Sequence, residues 1–400
     1  MTKYTFLLFL VAWLFTSTRC LGQDTLASKG KKGNEKKVSF VVLPAIASNP
    51  SNGFMFGITG VAGWYMGDAK TTTLSNAVGA VIYTTKKQSI NLVKSDVFLS
   101  RDQWMLKGDW RLFFSTEKTY GLGSGALEDK PVPYEQQVDF DLIRFHETAL
   151  KRLGPSRFFA GIGYHLDDHR HIKDVFNEPV PDSVTITSHD AYCKQYGFNP
   201  EQYISSGISM NALYDSRNNP VFPATGHYAF VSFRMNQQFL GSDKNASLLW
   251  LEYRHYFSLS HKSTRHIIAL WTYANLVTSG ATPYLDLPAS GWDTYGRSAR
   301  GYTQGQIRGH ELLYGELEWR FPLPVVFSRW PDLLGGVLFV NATTASDPDA
   351  GIDLFGAMDP AIGAGLRIML SQKSKTNLTI DYAIGDHGSS GFYLDFNEAF

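Results

Sequence analysis

Cysteine, charge and long apolar runs are all scarce in this chain of 400 residues. The two cysteines, Cys20 and Cys193, cannot build a disulfide scaffold or a cysteine-based metal cluster. Charged residues make up 18% of the chain, below the roughly 25% of an average soluble protein. The 37 basic side chains balance 37 acidic ones, and without a basic excess no nucleic acid is expected as a partner. Beyond the amino-terminal segment, no apolar run approaches the roughly 20 residues of a membrane-spanning helix. What the chain has instead is aromatic residues, at 14%, and 36 glycines.

The opening MTKYTFLLFLVAWLFTSTRCLGQ combines Lys3, an apolar run from Phe6 to Phe15 and small residues behind it. That is the pattern of a secretory signal peptide. It is assigned to residues 1–22, with cleavage after Gly22; Arg19 does not suit a lipoprotein cysteine at position 20. Residues 23–37 carry Lys29, Lys31, Lys32, Lys36 and Lys37 and little that is apolar, so they read as a basic periplasmic tail.

From residue 38 onward the dominant pattern is alternation with period two, the mark of a strand with one apolar face. In WMLKGDWRLFF, Trp104, Leu106, Trp110 and Leu112 oppose Lys107, Asp109 and Arg111. In LLYGELEWRF, Leu313, Leu317, Trp319 and Phe321 oppose Tyr314, Glu316, Glu318 and Arg320. In NLTIDYAI, Leu378, Ile380, Tyr382 and Ile384 oppose Thr379, Asp381 and Ala383. A β-sandwich turns the apolar face inward, whereas a transmembrane barrel turns it toward lipid.

Segment number, length and connections separate the two. Sixteen segments begin near residues 38, 53, 74, 88, 104, 136, 157, 203, 227, 246, 266, 312, 333, 360, 376 and 391. Most exceed the roughly five or six residues of a soluble strand. Connections after even-numbered segments are mostly short, while 116–135, 169–202, 281–311 and 343–359, all after odd-numbered ones, are long. Short periplasmic turns and long outer loops obey that parity; a sandwich has no reason to. The expected fold is therefore all-β, a 16-stranded antiparallel transmembrane β-barrel over residues 38–400, set in the lipid of the bacterial outer membrane.

The last segment, SSGFYLDFNEAF, places Phe392, Leu394 and Phe396 on one face and ends on Phe400. It resembles the insertion signal of outer-membrane barrels, which assigns that signal to Gly391, Leu394, Phe396 and Phe400, all expected to face outward apart from the glycine. Glu398 then lies on the apolar face and is expected at a wet interface.

Three further segments resemble one family. In YDSRNNPVFPATGHYAF, residues Tyr214, Asp215, Arg217, Pro223 and Gly226 match the Y-D-x-R…P-x-x-G periplasmic turn of the BamA/TamA family, the bacterial surface antigens. Pro220 and Pro223 cannot donate to a ladder, so a turn is the physical reading as well. In SARGYTQGQIRGHELLYGELEWRFP, Arg300, Gly301 and Tyr302 look like the R-G-[FY] tip of the family's sixth outer loop. LPAIASNPSNGFMFG resembles its first hairpin. The resemblance implies that loop 281–311 folds back into the lumen, where Arg300 pairs with Glu318. The family's next strand carries F-x-D-x-G; here Asn341 replaces the Asp and Thr343 the Gly, which implies an anchor weakened or shared differently. Only 15 residues separate the expected signal peptide from the barrel, so a barrel-only member without POTRA domains is expected.

Other constellations carry less. His169 and His171 alternate beside Asp167, Asp168 and Asp174, but no third ligand is defined, and no metal or other cofactor is expected. Ser188, His189 and Asp190 are sequence neighbours and cannot form a catalytic relay. Gly121, Gly123 and Gly125 lack the strand and helix of a dinucleotide site. The chain does not read as an enzyme. Three roles remain open. One is protein assembly or translocation through a seam weakened by Gly53, Gly57, Gly388 and Gly391, with client barrel proteins and a periplasmic accessory protein as partners. The others are a gated pore and a passive surface antigen or anchor.

Overall fold

Sixteen antiparallel strands pair in chain order and close on themselves, the first meeting the last. The structure, a computed structural model, describes residues 39–400 apart from 178, 182–183, 220–221, 261–262, 264, 325–332, 372–375 and 397. The expected signal peptide and basic tail, and Pro220, lie outside the described residues.

The wall begins with β1 (Ser39–Asn49), β2 (Gly53–Trp64), β3 (Ser75–Thr84) and β4 (Ser89–Phe98). Next come β5 (Trp104–Thr119), β6 (Gln136–Arg152), β7 (Phe158–Phe176) and β8 (Tyr203–Asp215). They are followed by β9 (Gly226–Asn236), β10 (Ala246–Ser258), β11 (Ile267–Gly280) and β12 (Glu311–Pro322). β13 (Leu334–Ala345), β14 (Asp359–Ser371), β15 (Thr376–Gly385) and β16 (Ser390–Phe396) complete it. Every strand starts within one residue of the position read from the sequence. Among the described residues, no helix is long and apolar enough to cross a membrane.

The alternation turns out as a barrel requires. On β12, Leu317 and Trp319 are 46% and 42% exposed on the outside, while Glu316 and Glu318 are 2% and 0% exposed within. Phe54, Phe56, Ile58, Ile162, Met210 and Ile384 are outward in the same way. Lipid covering such a side chain contributes about 1.5–3 kcal/mol. Pairing between sequence-adjacent strands satisfies the main-chain polar groups within the wall, which a hydrocarbon surround demands, and only the seam between β1 and β16 is sparsely paired among the described residues.

Four details differ from the sequence reading. β5 and β7 run to Thr119 and Phe176, so the long connections there are 120–135 and 177–202. Polar residues occupy both faces of these upper strand ends and conceal the alternation. The connection 177–202 holds an unanticipated helix, α1 (Ser188–Tyr196). Its signals were present: Thr187 Oγ1 accepts from the Asp190 amide at 3.2 Å, and Gly197 closes the helix at φ 66°. Ser188, His189 and Asp190 are thus its first turn.

His169 and His171 do not share a face. A register shift between Asp139 and Asp141 of β6 lets β7 bulge, with His171 at φ 52°. The His169 side chain is 1% exposed and that of His171 79%.

The largest departure is at the carboxyl end. Phe392 faces outward, 49% exposed, and Leu394 shares its face. Phe400, expected on the same apolar face, is instead buried inside, its ring 5.2 Å from that of Trp271. Glu398, expected at a wet interface, is buried too and pairs with Arg367 at 2.7 Å. Buried guanidinium groups need an anion, and Glu398 supplies one; that draws the residues after β16 into the lumen.

Candidate functional site

The connection from β11 to β12, residues 281–310, makes the site, its side chains meeting those of β5, β12, β13 and β15. It first folds upon itself: the Ser290 amide donates to the Ile307 carbonyl at 2.8 Å, and the Gly305 amide to that of Ser290 at 2.8 Å. Asp293 shapes the tip, its carboxylate accepting from the amides of Tyr295, Arg297 and Ser298 at 2.8–3.1 Å. Near the base, Arg308 is buried against Glu117 of β5, which also accepts from the Trp292 indole at 2.7 Å.

Arg300 sits at the end of this hairpin, 3% exposed. Its Nη1 lies 2.6 Å from Asp381 Oδ2 of β15, and its Nη2 contacts both Glu316 and Glu318 of β12. The guanidinium also stacks over the Phe339 ring of β13, 3.5 Å from its centroid. Burial by itself would pull the Arg300 pKa down, but Glu316, then Glu318 and Asp381, outweigh it and hold the group charged. Arg300 and Glu318 are therefore together, within a larger cluster than one pair. Asn341 is adjacent, but it acts on the main chain, its Nδ2 donating to the Arg300 carbonyl at 2.9 Å.

The cluster continues past the tip. Arg320 donates to Glu318 at 2.6 Å, and Arg367 of β14 bridges Asp381 and Glu398. The Tyr314 hydroxyl donates to Glu316 at 2.5 Å. Three guanidinium groups thus face four carboxylates drawn from β12, β15 and the segment after β16. Glu316, Asp381, Arg320, Arg367 and Glu398 escaped the sequence reading as partners. The inward position of Glu316, Arg320 and Asp381 was legible from the alternation of β12 and β15, whereas that of Glu398 was not, nor was which strand would face which across the lumen.

Gly301 and Tyr302 seat the tip. Gly301 has φ +113°, and a Cβ there would lie 2.7 Å from that of Ala361, so only glycine suits the position. The Tyr302 hydroxyl donates to the Pro360 carbonyl at 2.5 Å and accepts from the Asp386 amide at 2.9 Å.

The residues read as a periplasmic turn form a separate group where β8 passes into β9. Asp215 accepts from the Arg217 amide and guanidinium at 2.8–3.1 Å, and that guanidinium lies 4.6 Å from the Tyr228 ring centroid. Tyr214 packs outside against Phe158 at 4.7 Å. Phe222, Pro223 and Ala224 tuck inward and are buried. Gly226 turns the chain into β9 at φ +107°.

The closing seam is unlike the other strand contacts. β1 and β2 are in register from Ser39↔Gly63 to Asn49↔Gly53, and β15 and β16 from Leu378↔Phe396 to Ile384↔Ser390. β1 and β16 meet only at Ser48↔Leu394 among the described residues. Among the described residues, most of the β1 edge that faces β16 is therefore without a strand partner, an arrangement that invites another strand.

Residues 176–400 match the model of the Omp85 superfamily domain. Among solved structures, the chain is similar to BamA from Haemophilus ducreyi lacking POTRA domains 1-3, with a TM-score of 0.54 at 15% identity. That match covers 90% of this chain and 70% of the other. CdiB from Acinetobacter baumannii matches with a TM-score of 0.52 at 11% identity, over 90% of this chain and 65% of that one. CdiB from Escherichia coli matches with a TM-score of 0.50 at 11% identity, over 88% and 62%. At these identities the likeness is one of fold. No curated protein sequence matches the chain.

Proposed function

The chain belongs to the Omp85 superfamily and is a bacterial outer-membrane β-barrel, and from that premise we propose that it assembles or translocates proteins at the seam between β1 and β16. The observation that carries this reading is that, among the described residues, one register pair, Ser48↔Leu394, holds that seam. A client strand entering beside β1 exchanges few existing hydrogen bonds for a full ladder, the physics of β-augmentation. Strands elsewhere in the wall are paired over most of their length and offer no such entry.

The lumen plays the supporting part. With Arg300 held by Glu316, Glu318 and Asp381, loop 281–310 takes up part of the interior, beside a cavity of about 210 Å³ lined by Arg144, Asp167 and Arg234 among others. A lumen narrowed by the loop favours lateral entry over passage of solute along the barrel axis. The partners proposed are client outer-membrane proteins, with a periplasmic accessory protein that delivers them.

Depletion tests the reading. As the protein is withdrawn, the abundance of a subset of other outer-membrane proteins should fall before growth does. Full depletion with every such protein at its normal level would rule the proposal out.

A further inference from the structure

For the seam to open β16 must part from β1, and among the described residues one register pair joins the two. What holds its luminal face is the loop. Arg297 donates through Nε to Asp395 at 3.0 Å and through Nη1 to the Glu398 carbonyl. Two positions earlier on the same face, the Tyr393 hydroxyl accepts from the Gly301 amide at 2.8 Å and donates to the Tyr302 carbonyl at 3.1 Å. The loop tip thus grips β16 at two successive inward residues.

Glycines make room for the Tyr393 and Tyr302 rings. A Cβ at Gly391 would lie 2.4 Å from the Tyr393 hydroxyl, so only a bare position lets that ring lean back toward the tip. A Cβ at Gly385 would lie 2.7 Å from the Tyr302 ring, which fills the same space on β15. Gly391, read from the sequence as part of an insertion signal and a weak seam, has this steric part as well. The same tip is anchored across the lumen on β12 through Arg300. One hairpin therefore ties the final strand to a wall four strands away.

We infer that the tip of loop 281–310 is a latch: Arg297, Gly301 and Tyr302 hold Asp395 and Tyr393 of β16, and the seam opens only when this grip is released. As regulation of client entry, the latch rests on the function proposed above. As a coupling between loop and strand it stands apart from that function, and the two separate by experiment.

The test is amide hydrogen exchange by mass spectrometry on the whole protein in lipid nanodiscs, following peptides from 39–49 and 390–396. Exchange there scales with the population of the open seam. Arg297→Ala loses a partly wet ion pair from the loop side, leaves β16 itself unaltered and should raise exchange about threefold. Tyr393→Phe keeps the ring, removes two hydrogen bonds and should raise it about tenfold or more. Asp395→Glu should restore the parent rate where Asp395→Asn does not. Peptides from β6 and β7 serve as the folding control and should be unchanged. Parent-like exchange at 390–396 in both Arg297→Ala and Tyr393→Phe would overturn the latch. Faster exchange with unaltered levels of all other outer-membrane proteins would support the latch and count against the client reading.

Discussion

Replacing Arg300 with alanine removes the cation on which three carboxylates converge, and the three do not suffer equally. Glu318 keeps Arg320 at 2.6 Å, and Asp381 keeps Arg367. Glu316 is left with the Tyr314 hydroxyl at 2.5 Å. The side chains of Arg300 and Glu316 are 4% and 0% exposed, so water does little to offset the loss. Removing one member of a buried pair costs about 3–5 kcal/mol. Applied to docking of the loop, that is a shift of roughly 150-fold or more in the equilibrium. Proteolysis of residues 281–310 by chymotrypsin in native membranes reads the shift directly, and should quicken by a factor of that order. A second substitution identifies the carboxylate left behind. Glu316→Gln should recover much of the loss in an Arg300→Ala background, because it removes the orphaned charge. Glu318→Gln should not, because it deprives Arg320 of its closest partner. Parent-like proteolysis of Arg300→Ala would refute the reasoning, as would stronger rescue by Glu318→Gln than by Glu316→Gln.

Phe400→Ala should lower the temperature at which the heat-modifiable gel band disappears and shift Trp271 fluorescence to the red. The Phe400 ring lies 5.2 Å from that of Trp271, and deleting a packed Phe costs about 3–5 kcal/mol; unchanged Trp271 emission would place the ring elsewhere. In the outer connection 120–135, burial pulls the Lys130 ammonium from 10.5 down to about 8, while its Nζ donates to the Gly123 carbonyl at 2.8 Å. Between those pH values the unfolded loop binds more protons than the folded one, so loop stability rises as pH climbs from about 8 to 10.5. Exchange protection of 120–135 should therefore increase over that window by an amount worth at most about 3 kcal/mol, and Lys130→Met should abolish the dependence. A parent profile as flat as that of the variant would contradict it. Burial beside Asp190 and Asp174 pushes the Cys193 thiol up to about 12, so a maleimide at pH 8 should leave the folded protein unlabelled and modify it only after unfolding.

The wall was legible because lipid outside and a polar lumen inside write themselves as alternation, residue by residue. Trp104, Leu317 and Ile384 announce their side without reference to any other strand. The loop tip was legible only through resemblance, since nothing in SARGYTQ by itself says that it turns inward. What stayed hidden were relations between distant positions. Asp381 reads as one inward acid on β15, and only the closed cylinder brings it within 2.6 Å of Arg300. Asn341 looked like a missing acid, yet Glu316 and Asp381 supply the charge and Asn341 holds the main chain. Phe400 misled because local alternation was extended past the end of β16, where pairing of Glu398 with Arg367 overrides it.

Locking the seam decides whether it is the working part of the molecule. Ser48 and Leu394 are direct Cα partners, and antiparallel partners stand about 4.5–5.5 Å apart, within disulfide reach. In cells carrying Ser48→Cys with Leu394→Cys, oxidation should bring the outer-membrane proteins that fall on depletion down to depleted levels, and a reductant should bring them back. Normal levels of those proteins with the disulfide fully formed would mean that no client passes between β1 and β16.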